Sequence, residues 1–207
     1  MRILHHDRHL VVVDKPAGLL SVPGIGPEKA DCLVARLQAE APGARIVHRL
    51  DFDTSGVIVL ALDADTHREL SRQFQDREVR KRYVAVVAGQ VAGESGEIDL
   101  PLRKEALGSA RQIVHATEGK PSVTRWKVVE RLDDPPRTRL SLEPLTGRSH
   151  QLRVHSLALG HPILGDPLYG TPESQAAAPR LMLHAEWLEF THPATGEPLG
   201  IGSPAPF

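Results

Sequence analysis

The segment from His48 to Gly56 contains the side chains with the clearest chemical potential in this chain. A carboxylate, Asp51, follows Arg49 by two residues in a polar turn, and the apolar run 57–62 comes directly afterwards. An apolar, β-branched run predicts a core strand, so the turn would hold the carboxylate at the end of a buried strand. Functional groups are commonly carried on loops that such a scaffold positions. The pattern therefore indicates a candidate catalytic carboxylate.

Two other interpretations of this turn compete with catalysis. Asp51 and Asp53 could bond only to nearby backbone amides, as Asp residues in turns commonly do. The first, third, fifth and sixth positions of a calcium-binding loop are matched by Asp51, Asp53, Ser55 and Gly56. The twelfth position of such a loop supplies a bidentate glutamate, and here it is Leu62, which excludes a calcium site. The catalytic interpretation therefore needs support from elsewhere in the chain.

Several common classes of enzyme lack their motifs in this sequence. Segment 184–186 has the His-x-Glu pattern of zinc deaminases, but the single cysteine, Cys32, cannot supply the paired thiolates of that site. Segment 24–26 lacks the third glycine of a dinucleotide fingerprint, and no Gly-x-Ser-x-Gly elbow or phosphate-binding loop is present. The histidine-rich segment 5–9 is of a kind more often solvated than metal-binding, so we predict no metal site.

The composition limits the partners and the location that we expect. A net charge of −1 and a pI of about 6.8 argue against a strongly basic nucleic-acid-binding protein. Basic residues nevertheless cluster in segments 77–82 and 148–155, which favours local positive grooves. No stretch approaches the ~20 apolar residues that span a bilayer, and the N-terminus lacks a secretory pattern. We expect a cytoplasmic protein that does not bind a membrane.

The hydrophobic pattern predicts short strands interspersed with helices. Strands are predicted at 10–13, 57–62, 79–89, 112–115, 122–131, 138–143 and 180–190, with Tyr83 at the polar end of the third. Helices are predicted at 28–40, 63–77 and 148–159, the last ending at Gly160. On that helix His150 and Arg153 should share a face. Residues 133–136 predict a hairpin with a longer loop, and no repeat or linker interrupts 1–207, which favours one continuous unit.

Five motifs support the catalytic interpretation of Asp51. They stand in order along the chain at Asp14–Gly18, His48–Gly56, Lys81–Ala85 with Gly89, Thr146–His155 and His161–Gly170. Together they resemble the motifs of the RluA-type family of RNA pseudouridine synthases, over a stretch from about Leu10 to the C-terminus. Five motifs in the order of the family are far more specific than any one of them.

The resemblance implies a reaction and the residues that carry it out. In this family the bond from the sugar to nitrogen 1 of uridine is broken, the uracil turns, and it is rejoined through carbon 5 without a cofactor. Asp51 would be the nucleophile toward the sugar or the base, a role that suits an ionised carboxylate. Tyr83 would stack under the uracil and assist proton transfer. Arg153 would pair with the catalytic carboxylate and keep it ionised.

The resemblance also implies contacts to the substrate and a fold. Arg49 matches the position that helps to expel the target base and fill its place, because a stacked base hides its glycosidic bond. His48, Arg148 and His150 lie in the matching motifs, and we assign them to substrate binding. The implied fold is a single mixed α/β (α+β) catalytic domain around a largely antiparallel sheet, with the active-site cleft across its middle.

The expected partner is a structured RNA. The catalytic pattern begins so early that we expect no S4-type RNA-binding module of the kind many members carry. The chain therefore resembles the short, dual-specificity form of the family, which acts on a tRNA anticodon stem-loop and a large-subunit rRNA loop. We expect a monomer that needs no cofactor and no metal.

Two functions from other classes remain as alternatives. An RNA-binding module or chaperone could keep the cleft without catalysis, although the intact set of Asp51, Tyr83 and Arg153 speaks against it. A glycosidase could use Asp51 and Asp53 as its carboxylate pair, since such pairs stand ~5 to 10 Å apart, but no motif of that kind accompanies them. Release of free uracil from RNA would distinguish the glycosidase.

Overall fold

The computed structural model describes residues 1–207, which form two compact units. The N-terminal unit consists of Met1–Lys81 with His184–Pro206, and the central unit consists of Arg82–Leu183 with Phe207. Both units combine helices with strands that are mostly antiparallel, which confirms the predicted mixed α/β class. The expectation of one continuous catalytic unit stays a prediction.

Twelve strands and four α-helices make up the regular structure. The strands are β1 Arg2–His6, β2 Leu10–Lys15, β3 Arg45–Ile46, β4 Ser55–Ala61, β5 Arg80–Ala88, β6 Ser95–Asp99, β7 Leu102–Lys104, β8 Gln112–Val114, β9 Val123–Asp133, β10 Pro136–Pro144, β11 Leu183–Thr191 and β12 Pro198–Gly202. The helices are α1 Leu33–Glu40, α2 Ala64–Gln75, α3 Gln151–Ala158 and α4 Pro172–Ala176, and a 3-10 turn covers Pro27–Lys29. No helix has the length and apolar character needed to cross a membrane.

The sheet of the N-terminal unit contains β1, β2, β4 and β11 in that order, with β3 added to β4 and β12 added to β11. β2 and β4 are antiparallel, with Leu10 opposite Ala61, whereas β11 runs parallel to β4. All seven residues of β4 are buried, as a continuous apolar run in a central strand requires. The core of this unit consists of Leu10, Val12, Val57, Val59, Ala61, Leu70, Val79, Leu188 and Phe190.

Gly56, near the start of β4, allows the close approach of β11. Its φ of +118° lies in a region that L side chains rarely adopt. A Cβ atom at this position would stand 2.2 Å from the carbonyl oxygen of Ala185, which is far inside van der Waals contact. The glycine therefore sets how β11 can pack beside the strand that follows the Asp51 turn.

The sheet of the central unit contains β5, β10, β9 and β6 in that order, all antiparallel to their neighbours. β7 and β8 form a separate two-stranded hairpin. Buried and exposed residues alternate from Val123 to Val128 in β9, as expected for a strand with one covered face. The core consists of Ala85, Val87, Val91, Ile98, Trp126, Val128, Leu140, Leu142, Leu152, Ile163, Leu181 and Leu183.

The predicted elements are largely present, with three corrections. The helix predicted at 148–159 begins only at Gln151, because His150 adopts a left-handed conformation with φ of 55° at the N-cap. The helix predicted at 28–40 is a 3-10 turn followed by α1. The longer loop predicted at 133–136 is wrong, since Asp133 pairs directly with Pro136 across a tight turn. Gly160 follows α3 with φ of 88°, as the predicted helix stop requires.

Candidate active site

The Asp51 turn leads directly into the buried strand β4. The backbone N–H of Thr54 donates to the carbonyl oxygen of Asp51 over 3.2 Å, which closes the turn one residue before the strand begins. Asp51 is half-buried, while the ring of Phe52 beside it is 50% exposed. The structure therefore holds this carboxylate at the end of a buried strand, as the sequence predicts.

The side chain of Lys15 supports the Asp51 turn, and the sequence analysis assigned it no role. Its side chain is completely buried. The ammonium donates to the carbonyl oxygens of Pro16 at 2.9 Å, Leu19 at 2.7 Å and Phe52 at 3.2 Å. Lysine has three donors, and each of these bonds uses a backbone acceptor. One buried cation therefore joins the loop after β2 to the residue that follows Asp51.

Ser55, the first residue of β4, is held by His184 of β11. Its Oγ lies 2.8 Å from Nδ1 of His184, and Nε2 of the same ring lies 2.9 Å from the carbonyl oxygen of Ser203. A carbonyl can only accept, so Nε2 carries a proton and Nδ1 accepts the hydroxyl of Ser55 when the ring is neutral. All three residues are buried. This arrangement anchors the strand end next to the Asp51 turn, and sequence reasoning had considered His184 only for a zinc site.

His48 connects the segment before the turn to β4 and α2. Its Nε2 accepts the backbone N–H of Val59 at 3.2 Å. Its ring stacks on Phe74 with 4.3 Å between centroids and 20° between planes. Burial lowers the pKa of His48 to about 3, and the nearby charge of Lys81 contributes. A neutral ring that accepts from the backbone gives His48 a structural role, and its predicted contact with substrate stays a prediction.

Arg49 and Thr54 complete this part of the site. Arg49 is exposed, which suits the predicted contact with an extruded base or with phosphates. The hydroxyl of Thr54 is buried and has no hydrogen-bond partner. The N-terminal unit thus brings together His48, Arg49 and Asp51, three of the predicted site residues.

Tyr83 and Arg153 lie in the central unit. Tyr83 is in β5 opposite Leu142 of β10, and it packs against the core of the unit while remaining half-buried. The residues that follow it in β5, from Val84 to Val87, are all buried. The tyrosine therefore stands where β5 enters the core. The predicted joint action of Tyr83, Arg153 and Asp51 stays a prediction.

Arg153 forms a buried ion pair that the sequence did not reveal. Its Nε and Nη2 donate to the two carboxylate oxygens of Asp166 at 2.8 and 2.5 Å. The side chains of Arg153 and Asp166 are only 2% and 0% exposed. Such a two-bond pair fixes the plane of the guanidinium as well as its distance. Asp166 lies in the motif 161–170, but nothing in its spacing marks it as the partner of Arg153.

Tyr169 brings His150 and Arg153 together. The predicted shared helix face is wrong because His150 precedes α3. Instead, Nδ1 of His150 lies 2.8 Å from the hydroxyl of Tyr169, and the Arg153 guanidinium carbon lies 5.1 Å from the centre of the same ring. Arg148, the remaining predicted residue, donates from Nε to the carbonyl oxygen of Pro121 at 3.3 Å.

Comparison with known proteins places this chain in a family. The sequence model of the family described as RNA pseudouridylate synthase matches residues 9–158. The chain is 51% identical over 207 residues to "Dual-specificity RNA pseudouridine synthase RluA" of Yersinia pestis, covering 100% of both chains. It is 52% identical over 205 residues to the protein of that name from Escherichia coli strain K12, covering 99% of this chain and 93% of the relative.

The fold is similar to solved structures as well. "Human RNA Pseudouridylate Synthase Domain Containing 1" superposes with a TM-score of 0.83 at 33% identity, covering 100% of this chain and 84% of the human chain. "Human RNA Pseudouridylate Synthase Domain Containing 4" has a TM-score of 0.79 at 28% identity, covering 99% and 88%. Sequence and fold therefore agree on the family over essentially the whole chain.

Proposed function

Because the chain belongs to the RNA pseudouridylate synthase family, and so is an isomerase that modifies RNA, we propose that it converts uridine to pseudouridine in loops of tRNA and large-subunit rRNA. The observation that carries the proposal is the Asp51 carboxylate, which a closed turn and the buried Lys15 hold at the entrance of β4. The full-length similarity to dual-specificity enzymes supports two classes of RNA substrate. It also favours catalysis over a purely RNA-binding role.

The proposed chemistry conserves every atom of the nucleoside. The bond between the sugar and nitrogen 1 breaks, a bond between the sugar and carbon 5 forms, and the proton of carbon 5 is replaced by one on nitrogen 1. Asp51 is the nucleophile that traps the sugar or the base during the exchange. Tyr83 stacks under the uracil and takes part in proton transfer. Arg153 supplies the positive charge that favours the ionised carboxylate.

Recognition in this proposal is local. Arg49 replaces the extruded base, and His48, Arg148 and His150 contact the surrounding RNA. A base in a loop costs less to extrude than a paired one. A net charge of −1 offers few phosphate contacts beyond the loop. The slope of log affinity against log salt should therefore correspond to only a few phosphates. We further propose that the protein acts as a monomer in the cytoplasm without a cofactor.

The test follows tritium release from carbon 5 of labelled uridine in three RNAs: full-length tRNA, its anticodon stem-loop and an rRNA hairpin. We expect the isolated stem-loop to be modified nearly as well as the full tRNA, with a rate that EDTA does not change. Tyr83→Phe should lower turnover more than RNA affinity, because its ring can still stack. If short hairpins are inert while intact RNA is modified, recognition is not local. If no RNA releases tritium, the proposed activity is wrong.

A further inference from the structure

We propose that Asp166 and Tyr169 are positioning residues that orient the guanidinium of Arg153 for pseudouridine formation. Both belong to the loop between α3 and α4, and Tyr169 also fixes the hairpin of β7 and β8 against the same group. The inference rests on the proposed function of Arg153. It adds two residues that control where that charge stands.

The carboxylate of Asp166 determines which edge of the guanidinium is used. Asp166 takes the edge formed by Nε and Nη2, so any second carboxylate must be met by Nη1 and the other N–H of Nη2. Because the guanidinium is planar, the Asp166 pair also sets the plane in which those donors point. The direction in which Arg153 presents its charge is therefore set by Asp166.

Asp166 is itself held by the backbone. Its Oδ1 also accepts the N–H groups of Leu168 at 2.9 Å and Tyr169 at 3.1 Å. The preceding Gly165 has φ of +70°, and a Cβ atom there would stand 1.9 Å from the carbonyl oxygen of Arg180. These contacts leave the carboxylate little freedom to rotate or shift. The loop therefore serves as a rigid base for the arginine.

The aromatic ring of Tyr169 makes a second contact with the guanidinium of Arg153. Its ring, 5% exposed, has the guanidinium carbons of Arg153 and Arg111 each 5.1 Å from its centre, within the range of cation–π attraction. Its hydroxyl accepts the backbone N–H of Gln112 at 2.8 Å and lies 2.8 Å from Nδ1 of His150. Burial raises the pKa of the phenol above its ordinary value.

The same tyrosine connects the hairpin to Arg153. Gln112 is the first residue of β8, and Arg111 just before it donates to the carbonyl oxygen of Leu168. Leu102 of β7 packs with Tyr169 and with Val154 of α3. The hairpin, His150 and Arg153 therefore all contact Tyr169. Removal of the Tyr169 hydroxyl should therefore alter the position of each of them.

A purely structural purpose does not account for this cluster. Burying a charged pair contributes little net stability, and apolar residues of similar volume often serve as well or better. A positioned charge, in contrast, is valuable where a displacement of about 1 Å can cost roughly 100-fold in rate. The cluster is therefore better explained by the orientation of Arg153 than by stability.

The main experiment is a mutant cycle on the full-length protein with labelled stem-loop RNA. Asp166→Asn should lower the single-turnover rate of tritium release by about 100-fold while the Kd for RNA changes less than about 3-fold. In an Arg153→Met background the same substitution should cause no further loss of rate, because Asp166 acts through Arg153. Equal losses in both backgrounds, or a wild-type rate for Asp166→Asn, would overturn the inference.

Tyr169→Phe keeps the ring and removes only the hydroxyl, so it tests the inference if Asp166→Asn does not fold. We expect kcat to fall by about 10-fold with KM within about 2-fold, since only placement of the site is altered. The matched control is Thr138→Val, which removes an equally buried hydroxyl bonded to Val91 and Gly89 in the same unit. A lower Tm with unchanged kcat in both variants would show that the Tyr169 hydroxyl is only structural.

These outcomes are separable from failure of the proposed function. If wild-type protein releases no tritium from any RNA, the assigned activity fails before the variants are compared. If wild-type protein is active and the variants are unchanged, the positioning inference alone fails.

Discussion

The two charged groups proposed for catalysis are positioned in different ways. The turn that carries Asp51 is held through backbone groups, with Lys15 bonded to three carbonyl oxygens and the turn closed by the N–H of Thr54. Around Arg153 the contacts are made by side chains, chiefly the carboxylate of Asp166 and the ring of Tyr169. The turn of the proposed nucleophile is thus held by main-chain contacts, whereas the guanidinium of Arg153 is held by a second charge.

This difference has a physical basis in what each group must do. A nucleophile must be held close to a reacting atom, and the closed turn keeps the half-buried Asp51 at the entrance of β4. A buried guanidinium needs a compensating charge, because an unpaired buried cation is strongly unfavourable. Substitutions should therefore affect rate alone at Asp51, rate and stability at Arg153, and mainly stability at Lys15.

The largest effect is expected at Asp51. Asp51→Asn keeps the shape of the side chain and removes the nucleophile, so the single-turnover rate should fall by at least about 10³-fold. RNA affinity should stay within a few-fold, because phosphate contacts usually dominate it. Tritium release and filter binding measure the two quantities. A variant that keeps more than a small percentage of the wild-type rate would remove Asp51 from the mechanism.

Arg153→Lys should have the next largest effect. The charge is kept, but the planar fork that binds both oxygens of Asp166 is lost. We expect the single-turnover rate to fall by about 100-fold and the Tm to drop, with RNA affinity little changed. Arg125→Lys is the matched control, because its guanidinium pairs with a carboxylate, Glu97, at the surface of the same unit. Equal single-turnover rates for Arg153→Lys and the wild type would show that the planar guanidinium is not needed for catalysis.

Lys15→Met tests the bracing of the Asp51 turn. The substitution leaves one buried and two partly buried carbonyl oxygens without their donor, so the free energy of unfolding should fall by about 3 kcal/mol. Urea unfolding measures this loss. Lys29→Met changes an exposed lysine of the same unit and should leave stability almost unchanged. If the two variants are equally stable, Lys15 does not brace the turn.

The smallest effect concerns His48 and acid. Its pKa is about 3 in the folded protein against 6.5 ordinarily, because burial disfavours the charged ring. Between these values the unfolded chain binds a proton that the folded chain does not, so stability falls as the pH falls below 6.5. His48→Gln removes this term while keeping a neutral acceptor. Its loss of stability between pH 7 and about pH 4.5 should be smaller by about 2 kcal/mol. Parallel pH curves for the two proteins would contradict the lowered pKa of His48.

Sequence patterns were sufficient for the elements that depend on neighbouring residues. The run after Gly56 is the buried strand β4, and the turn that carries Asp51 precedes it, as predicted. Gly160 ends α3 as predicted. The start of α3 was misplaced because the left-handed conformation of His150 is supported by its contact with Tyr169, nineteen residues further along the chain.

The sequence by itself determined the local scaffold and, through five ordered motifs, the family. Only the tertiary structure decided which buried charges have partners and which residues those partners are. Lys15 meets the carbonyl of Phe52 across 37 residues, and Arg153 meets Asp166 across 13. Hydrophobic periodicity records which face of an element is buried, but it does not record which polar group will stand opposite a buried charge. That choice follows from desolvation, which penalises any charge whose partner the fold does not bring into contact.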